Sequence, residues 1–432
     1  MDYQRMYQKK EVSVEEALSH IRDGSRIITS LCAQAPFLLL KHLHEVADTG
    51  KKFKIYSNMN LQAYPYLSDE KYRDRIDIDC LFQMVGDRVG HQKGLVNYVP
   101  GHLHDGTWRW AEINRPNVFI GAVSSMDENG YCRFSLSNIH EQAFARKADL
   151  VICEVNPNLP QVNGETEIHI SDIDYVVASK EPVPVLPEQS RLSPIDEKIG
   201  EHVASLVKDG DTIQLGIGKM PDAVANSLLD KKDLGVHTEL MSDAIYRLTE
   251  AGVVTNGRKT LHRGKSIATF AMGSQKLYSM MNQNPSVWIM SGNYVNHPGV
   301  IAQNDNMVSI NTAIEVDLTG QVCSESIGSV QYSGTGGAVD TAQEASASKG
   351  GRSIIALHAT AQKGKCSTIN AVQTPGAIVT LSRNNVDYIV TEFGIAPMRG
   401  RNVRQRMDNL IAIAHPDFRE EIKKAAEKTL LR

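Results

Sequence analysis

The stretch TIQLGIGKMPDAVANSLLDKKDLGVHTELMSD, residues 212–243, reads as strand, glycine turn, helix, strand and then an acidic residue, Glu239. Thr212 to Leu215 is a short apolar run. Gly216 and Gly218 let the backbone turn tightly, and Pro221 falls in a first helical turn, where a missing N–H is tolerated. Ala223 to Leu229 reads as a helix whose N-terminus would aim unpaired backbone N–H groups at whatever occupies the turn. Val236 to Leu240 then reads as a strand with Glu239 near its end. Ligands of open α/β sheets sit at the carboxyl ends of strands, so the order predicts a carboxylate and a donor-rich turn facing one reacting centre.

Outward from this stretch the chain repeats itself. Ser13 and Glu16 make a capping box ahead of Ala17, Leu18 and Ile21, and that helix stops at Asp23-Gly24 before a strand from Arg26 to Thr29. Later, Ile199 to Val207 is helical in period, stops at Asp209-Gly210, and precedes the strand containing Ile213. AVSSMDENGYCRFS from Ala122 and AIEVDLTGQVCSES from Ala313 share a strand, a turn at Asp127/Gly130 or Asp317/Gly320, and a returning strand. From Gly24 to Gly130 is 106 residues, and from Gly210 to Gly320 is 110, so the intervals agree. A third echo pairs ADLVICEVN, ending near Asn156, with VDYIVTEFG, ending near Gly394. These repeats predict two copies of one α/β unit, residues 1–185 and 186–432, with the seam between Glu181 and Pro194.

The copies differ in length. Gly130 to Glu154 is 24 residues and Gly320 to Glu392 is 72, which predicts an insertion in the second copy. Four glycines from Gly328 to Gly337 argue against a regular element there and permit close approach of backbone to a ligand. Lys363 and Lys365 lie beyond an expected strand at Ser353 to Leu357. Binding functions concentrate in irregular segments on a rigid scaffold, which marks the second copy as the chemical half.

At 432 residues, two or three domains are expected. Hydrophobic residues at 41% and charged residues at 22% describe an ordinary globular chain, and a net charge of −4 gives no reason to expect nucleic acid as partner. No apolar run approaches a membrane span, and MDYQRMYQKK lacks a signal peptide's apolar segment, so a cytoplasmic protein is expected. Six scattered cysteines without a CxxC pair read as buried thiols. The histidines, including His102 and His104, show no HExxH spacing, so no metal site is expected, and no GxSxG elbow is present. SGTGGAVD does not open a βαβ dinucleotide fingerprint, and the GIG turn lacks the third glycine of GxGxxG.

EVNPNLPQVNG near Glu154, GIGKMPDAV from Gly216, HTELMSD from His237, YVNHPGVIAQNDNMVSINTAIEVDLTGQVCSE from Tyr294 and QYSGTGGAVD from Gln331 together resemble the acetyl-CoA hydrolase/transferase family of class I CoA-transferases, most of all its 4-hydroxybutyrate CoA-transferases. The resemblance spans essentially the whole chain. It implies two similar α/β domains of the CoA-transferase type, an active site in the cleft between them, and a homodimer. It places the catalytic glutamate at Glu239 and an oxyanion contact at Asn296. CoA contacts fall at Gly216, Ile217, Gly218, Lys219 and Met220, at Gly336 and Gly337, and at Lys363, although the QKGK spacing leaves Lys365 as the alternative. The implied reaction moves CoA between an acyl-CoA and a short-chain carboxylate (4-hydroxybutyrate, butyrate or acetate) through a glutamyl-CoA thioester. CoA is then a substrate and no further cofactor is needed. The alternative is an acetyl-CoA hydrolase using the same glutamate.

Overall fold

Ile27 and Ile28 are neighbours on one strand yet belong to two different apolar clusters, the mark of a parallel sheet covered on both faces. The computed structural model describes residues 2–187 and 192–428, so residues 188–191 of the expected seam lie outside the described residues. Its first sheet has seven strands: β1 Arg26–Thr29, β2 Phe53–Tyr56, β3 Ile76–Cys80, β4 Val96–Tyr98, β5 Val118–Val123, β6 Leu150–Val155 and β7 Tyr175–Ala178. They lie in the order β7-β6-β5-β1-β2-β3-β4, and every pairing is parallel. Ile27, Ile55, Ile78, Ile120 and Ile152 pack on one face. Ile28, Tyr56, Phe119, Val151 and Cys153 pack on the other.

The second sheet contains β8 Thr212–Leu215, β9 Gly235–Val236, β10 Met307–Thr312, β11 Arg352–Ala356, β12 Tyr388–Thr391 and β13 Gly394–Pro397, in the order β9-β8-β10-β11-β12-β13. All pairings are parallel except that of β12 with β13. Contacts divide the chain into one unit of Met1–Leu186 with Ala268–Tyr294 and another of Pro187–Ile267 with Val295–Arg432. The excursion is tied to the first unit by parallel pairing of Trp288 with Asn163 and Ile289 with Gly164.

The duplication is visible at the level of single hydrogen bonds. Asp23 Oδ1 accepts from the Lys52 N–H at 2.7 Å, and Asp209 Oδ1 accepts from the Lys232 N–H at 2.8 Å. The following glycines donate to the same two lysines' carbonyls, Gly24 at 2.7 Å and Gly210 at 2.9 Å. Both glycines have left-handed backbone, φ +76° and +81°, which disfavours any side chain there. Farther on, Asp127 Oδ1 accepts from Asn129 and Tyr131 N–H, as Asp317 Oδ1 does from Thr319 and Gln321.

The third echo is corrected by strand register. With Gly24 matched to Gly210, Ile27 matches Ile213; each pairs with a valine, Val118 or Val308, which pairs in turn with Leu150 or Arg352. ADLVICEVN therefore corresponds to the strand Arg352–Ala356. VDYIVTEFG corresponds to the strand Tyr175–Ala178, with Tyr388 standing in the place of Tyr175. Both strands of each copy are short apolar runs, so composition could not separate them. The single long insertion resolves into two shorter ones. Gly130 to Leu150 is 20 residues against 32 from Gly320 to Arg352, and Leu150 to Tyr175 is 25 against 36 from Arg352 to Tyr388. The first contains a hairpin, Ser326–Ile327 with Val330–Gln331, where no regular element is expected from the glycines.

Candidate active site

The β8 strand occupies the predicted residues, but the helix after it runs Lys219–Ser227, beginning four residues before the expected start and including Pro221 in its first turn. Gly218 is its N-cap and supplies no side chain, so the first N–H groups of the helix have no side-chain partner. Gly216, Ile217, Gly218, Lys219 and Met220 all retain exposure. The following strand is shorter than predicted, Gly235–Val236, and Glu239 stands in a bend just beyond it.

Glu239, Asn296 and Gly337 meet. The Asn296 amide donates to Glu239 Oε2 at 3.3 Å, and the Gly337 backbone N–H acts on the same carboxyl to favour its ionised form. A carboxylate accepts only, so Asn296 must present its NH₂. Gly337 caps the helix Ala338–Ala347, placing that helix's N-terminus against the carboxyl. Its φ of −94° suits any residue, so a side chain there would be opposed by its neighbours rather than by the backbone. A Cβ at residue 337 would lie 2.0 Å from Glu239 Oε2 and 2.1 Å from Asn296 Nδ2. Gly336 beside it has left-handed backbone, φ +55°. The approach to these glycines is anchored by Glu325, whose carboxyl oxygens accept from Thr335 Oγ1 at 3.3 Å.

The Glu239 side chain is half-buried by surface accessibility, yet the carboxyl end is closely enclosed. Burial, reinforced by the negative charge of Asp340, raises its pKa to about 7, while the bonds from Asn296 and Gly337 pull the other way. Asp340 lies in the first turn of the same helix that Gly337 caps. A partly exposed carboxyl held by an amide donor, with a pKa near neutrality, is equipped for nucleophilic work.

Lys363 is not in this cluster. It sits at the exposed tip of the hairpin Thr360–Ala361 and Cys366–Ser367, with left-handed backbone, φ +60°, and Lys365 is exposed beside it. Sequence reading missed Asp340, and it missed His237 and Thr238, which immediately precede Glu239 and bind neighbouring backbone carbonyls. Their only signal was adjacency to Glu239. Among the described residues, no group of three His, Cys, Asp or Glu side chains could hold a metal, and no helix is long and apolar enough to cross a membrane.

Comparison with known proteins places this chain in a family. Residues 1–187 match the acetyl-CoA hydrolase/transferase N-terminal domain, and residues 273–426 match the C-terminal domain of the same family. The chain belongs to the acetyl-CoA hydrolase/transferase family. Asn296, Gly336, Gly337 and Lys363 fall inside the second match; Gly216 to Met220 and Glu239 lie between the two. The chain is 43% identical to the 4-hydroxybutyrate coenzyme A transferase of Clostridium kluyveri, over 98% of each chain. It is 40% identical to the succinyl-CoA:cyclohexane-1-carboxylate CoA transferase of Geobacter metallireducens, over 99% of this chain and 97% of that one. The crystal structure of RipA from Yersinia pestis superposes with a TM-score of 0.95 at 38% identity, covering all of both chains. A relative named acetyl-CoA hydrolase, from Kluyveromyces lactis, is more distant, at 24% identity over 95% of this chain and 88% of that one.

Proposed function

We propose that this protein is an acyl-CoA:carboxylate CoA-transferase with Glu239 as nucleophile, acting on short-chain carboxylates of the 4-hydroxybutyrate, butyrate and acetate class, most of all 4-hydroxybutyrate. The observation that carries the reading is the meeting of Glu239 with Asn296 and a glycine where an added Cβ would displace both of those side chains. Glu239 attacks the acyl-CoA carbonyl, CoA leaves as thiolate, and a mixed anhydride forms. The thiolate then attacks the glutamyl carbonyl, expelling the carboxylate product and leaving a glutamyl-CoA thioester. An acceptor carboxylate reverses these steps, which conserves the thioester's energy.

The Asn296 amide faces an oxygen of Glu239 itself, with the Gly337 N–H beside it. They are therefore suited to stabilise the oxyanion formed when the glutamyl carbonyl is attacked, a task for which one such donor is typically worth about 3 kcal/mol. Thr238 Oγ1 donates to the carbonyl of Leu215 at 3.3 Å, joining the glutamate's segment to the residue before the GIG turn. That supports Gly216, Ile217, Gly218, Lys219 and Met220 as contacts for CoA, with Gly336 and Gly337 on the other side; Lys363 or Lys365 would reach its phosphates. CoA serves as substrate, no other cofactor is invoked, and the expected assembly is a cytoplasmic homodimer.

Hydrolysis by the same glutamate is the second reading. It is disfavoured because the transferase relatives, at 43% and 40% identity, are much nearer than the hydrolase at 24%. Purified protein given butyryl-CoA and a panel of carboxylates decides between them. New acyl-CoA is the expected product, whereas free CoA formed without any acceptor would establish the hydrolase.

A further inference from the structure

Two residues before Glu239, the buried imidazole of His237 donates from Nε2 to the carbonyl of Val295 at 2.8 Å. Val295 adjoins Asn296, and Asn296 in turn donates to Glu239. The bonds close a small ring, from His237 through Thr238 to Glu239, across to Asn296, and back through Val295. A carbonyl can only accept, so Nε2 must carry the hydrogen. Burial, assisted by the nearby charge of Lys259, lowers the His237 pKa to about 3, and the ring stays neutral at working pH.

The segment is held from other directions too. Lys259 Nζ donates to the Val236 carbonyl at 2.6 Å, and the Thr238 N–H donates to Ile267 at 3.0 Å. Those bonds fix the strand. Of these bonds, that of His237 alone reaches the backbone carrying Asn296.

We propose that His237 is a positioning residue for the reaction, setting the Asn296 amide against Glu239 through the Val295 carbonyl. The inference rests on the transferase reading above. Without this bond the Val295–Asn296 peptide is free to shift, and reacting geometry tolerates displacements of well under an ångström.

A double-mutant cycle tests it in the full-length protein. His237→Leu should lower kcat for transfer by about 10–100-fold while changing the KM for acyl-CoA by less than about threefold. His237→Gln, whose side-chain amide can donate to the same carbonyl, should recover most of that loss. In an Asn296→Ala background, His237→Leu should change kcat by less than about twofold, because the amide it positions is gone. If thermal unfolding shows that His237→Leu is not folded, His237→Asn, whose shorter side chain cannot reach Val295, takes its place in the cycle. Equal losses in both backgrounds, a loss confined to KM, or no recovery with Gln in a folded protein would overturn the proposal. Glu239→Ala is run alongside: if it keeps transfer activity the transferase mechanism itself fails, whereas inactive Glu239→Ala with fully active His237→Leu removes only the role of His237.

Discussion

In the first unit the helix Phe37–Asp48 receives a carboxylate from its own chain: Glu154 Oε2 accepts from the N–H groups of Leu38 at 2.9 Å and Leu39 at 3.2 Å. By register the position of Glu154 in the second unit is Ala356, which has nothing to offer the corresponding helix, Lys219–Ser227. The position of Glu239 is matched in the first unit by Asn58, whose Oδ1 accepts from the N–H groups of Leu81 and Phe82. One copy spends its polar side chains on its own backbone. The other leaves the N-cap of its helix without a side chain and presents a carboxyl that accepts from Asn296. The same topology thus carries two different polar arrangements, and at these positions the difference lies in single residues: Glu154 against Ala356, and Asn58 against Glu239.

The sharpest way to break this contrast is to remove the side chain at each of its two key positions in turn. Glu239→Ala should reduce transfer by about 10³-fold or more, and borohydride reduction in the presence of acyl-CoA should then yield no modified residue at 239. Asn58→Ala should still give the modified Glu239 peptide, with a lower melting temperature from the backbone groups left unpaired. An adduct mapped to another carboxylate would end the assignment.

Gly337→Val comes next, with an expected fall in turnover of about 10²–10³-fold and an unchanged circular dichroism spectrum, since the clash is with the reacting groups rather than the core. Normal turnover in that variant would remove Gly337 from the site.

The elevated pKa of Glu239 adds a pH signature. The nucleophile is the ionised form, so below about 7 the rate of the acyl-CoA half-reaction should fall with acidity, about tenfold per pH unit, and it should level off above. Asp340→Asn, by removing a negative neighbour, should move this limb toward lower pH. An acid limb left in place by Asp340→Asn would show that burial alone sets it.

The same carboxyl weakens the fold, with a definite sign. A carboxyl whose pKa is raised on folding, here from 4.5 to about 7, binds more protons folded than unfolded, so its contribution to stability declines as pH rises across that window. Glu239→Gln should therefore stabilise the protein at pH 8 by up to about 3 kcal/mol and give no such gain below the unfolded value. Melting curves at the two pH values read this directly.

The smallest effect tests the structural half of the contrast. Glu154→Ala leaves two helix N–H groups without their acceptor and should cost about 1–3 kcal/mol of stability, with transfer activity retained. Loss of adduct formation in a folded Glu154→Ala protein would mean that the first unit's carboxylate is more than a cap.

How legible the site was in the sequence depended on the kind of contact. Glu239, Asn296 and Gly337 were named from short phrases, and the three are in contact. Asp340, His237 and Thr238 were not named, because nothing in an acidic residue on a helix, or in a His-Thr pair after a strand, specifies which backbone or charge it will face. The misassigned third echo has the same origin: β6, β7, β11 and β12 are all short apolar runs, and only their hydrogen-bonded neighbours distinguish them.

The sequence by itself determined the α/β class, the twofold repetition and the glycine turn, because these rest on local periodicity, turn chemistry and recurring phrases. Tertiary structure alone decided which strand answers to which, that Ala356 stands where Glu154 plugs a helix, and that a Cβ at 337 would strike Glu239 and Asn296. The reason is physical: strand register and the close approach of residues 239, 296 and 337 are settled by packing between elements far apart in the chain, and no local pattern encodes a distance across such a gap.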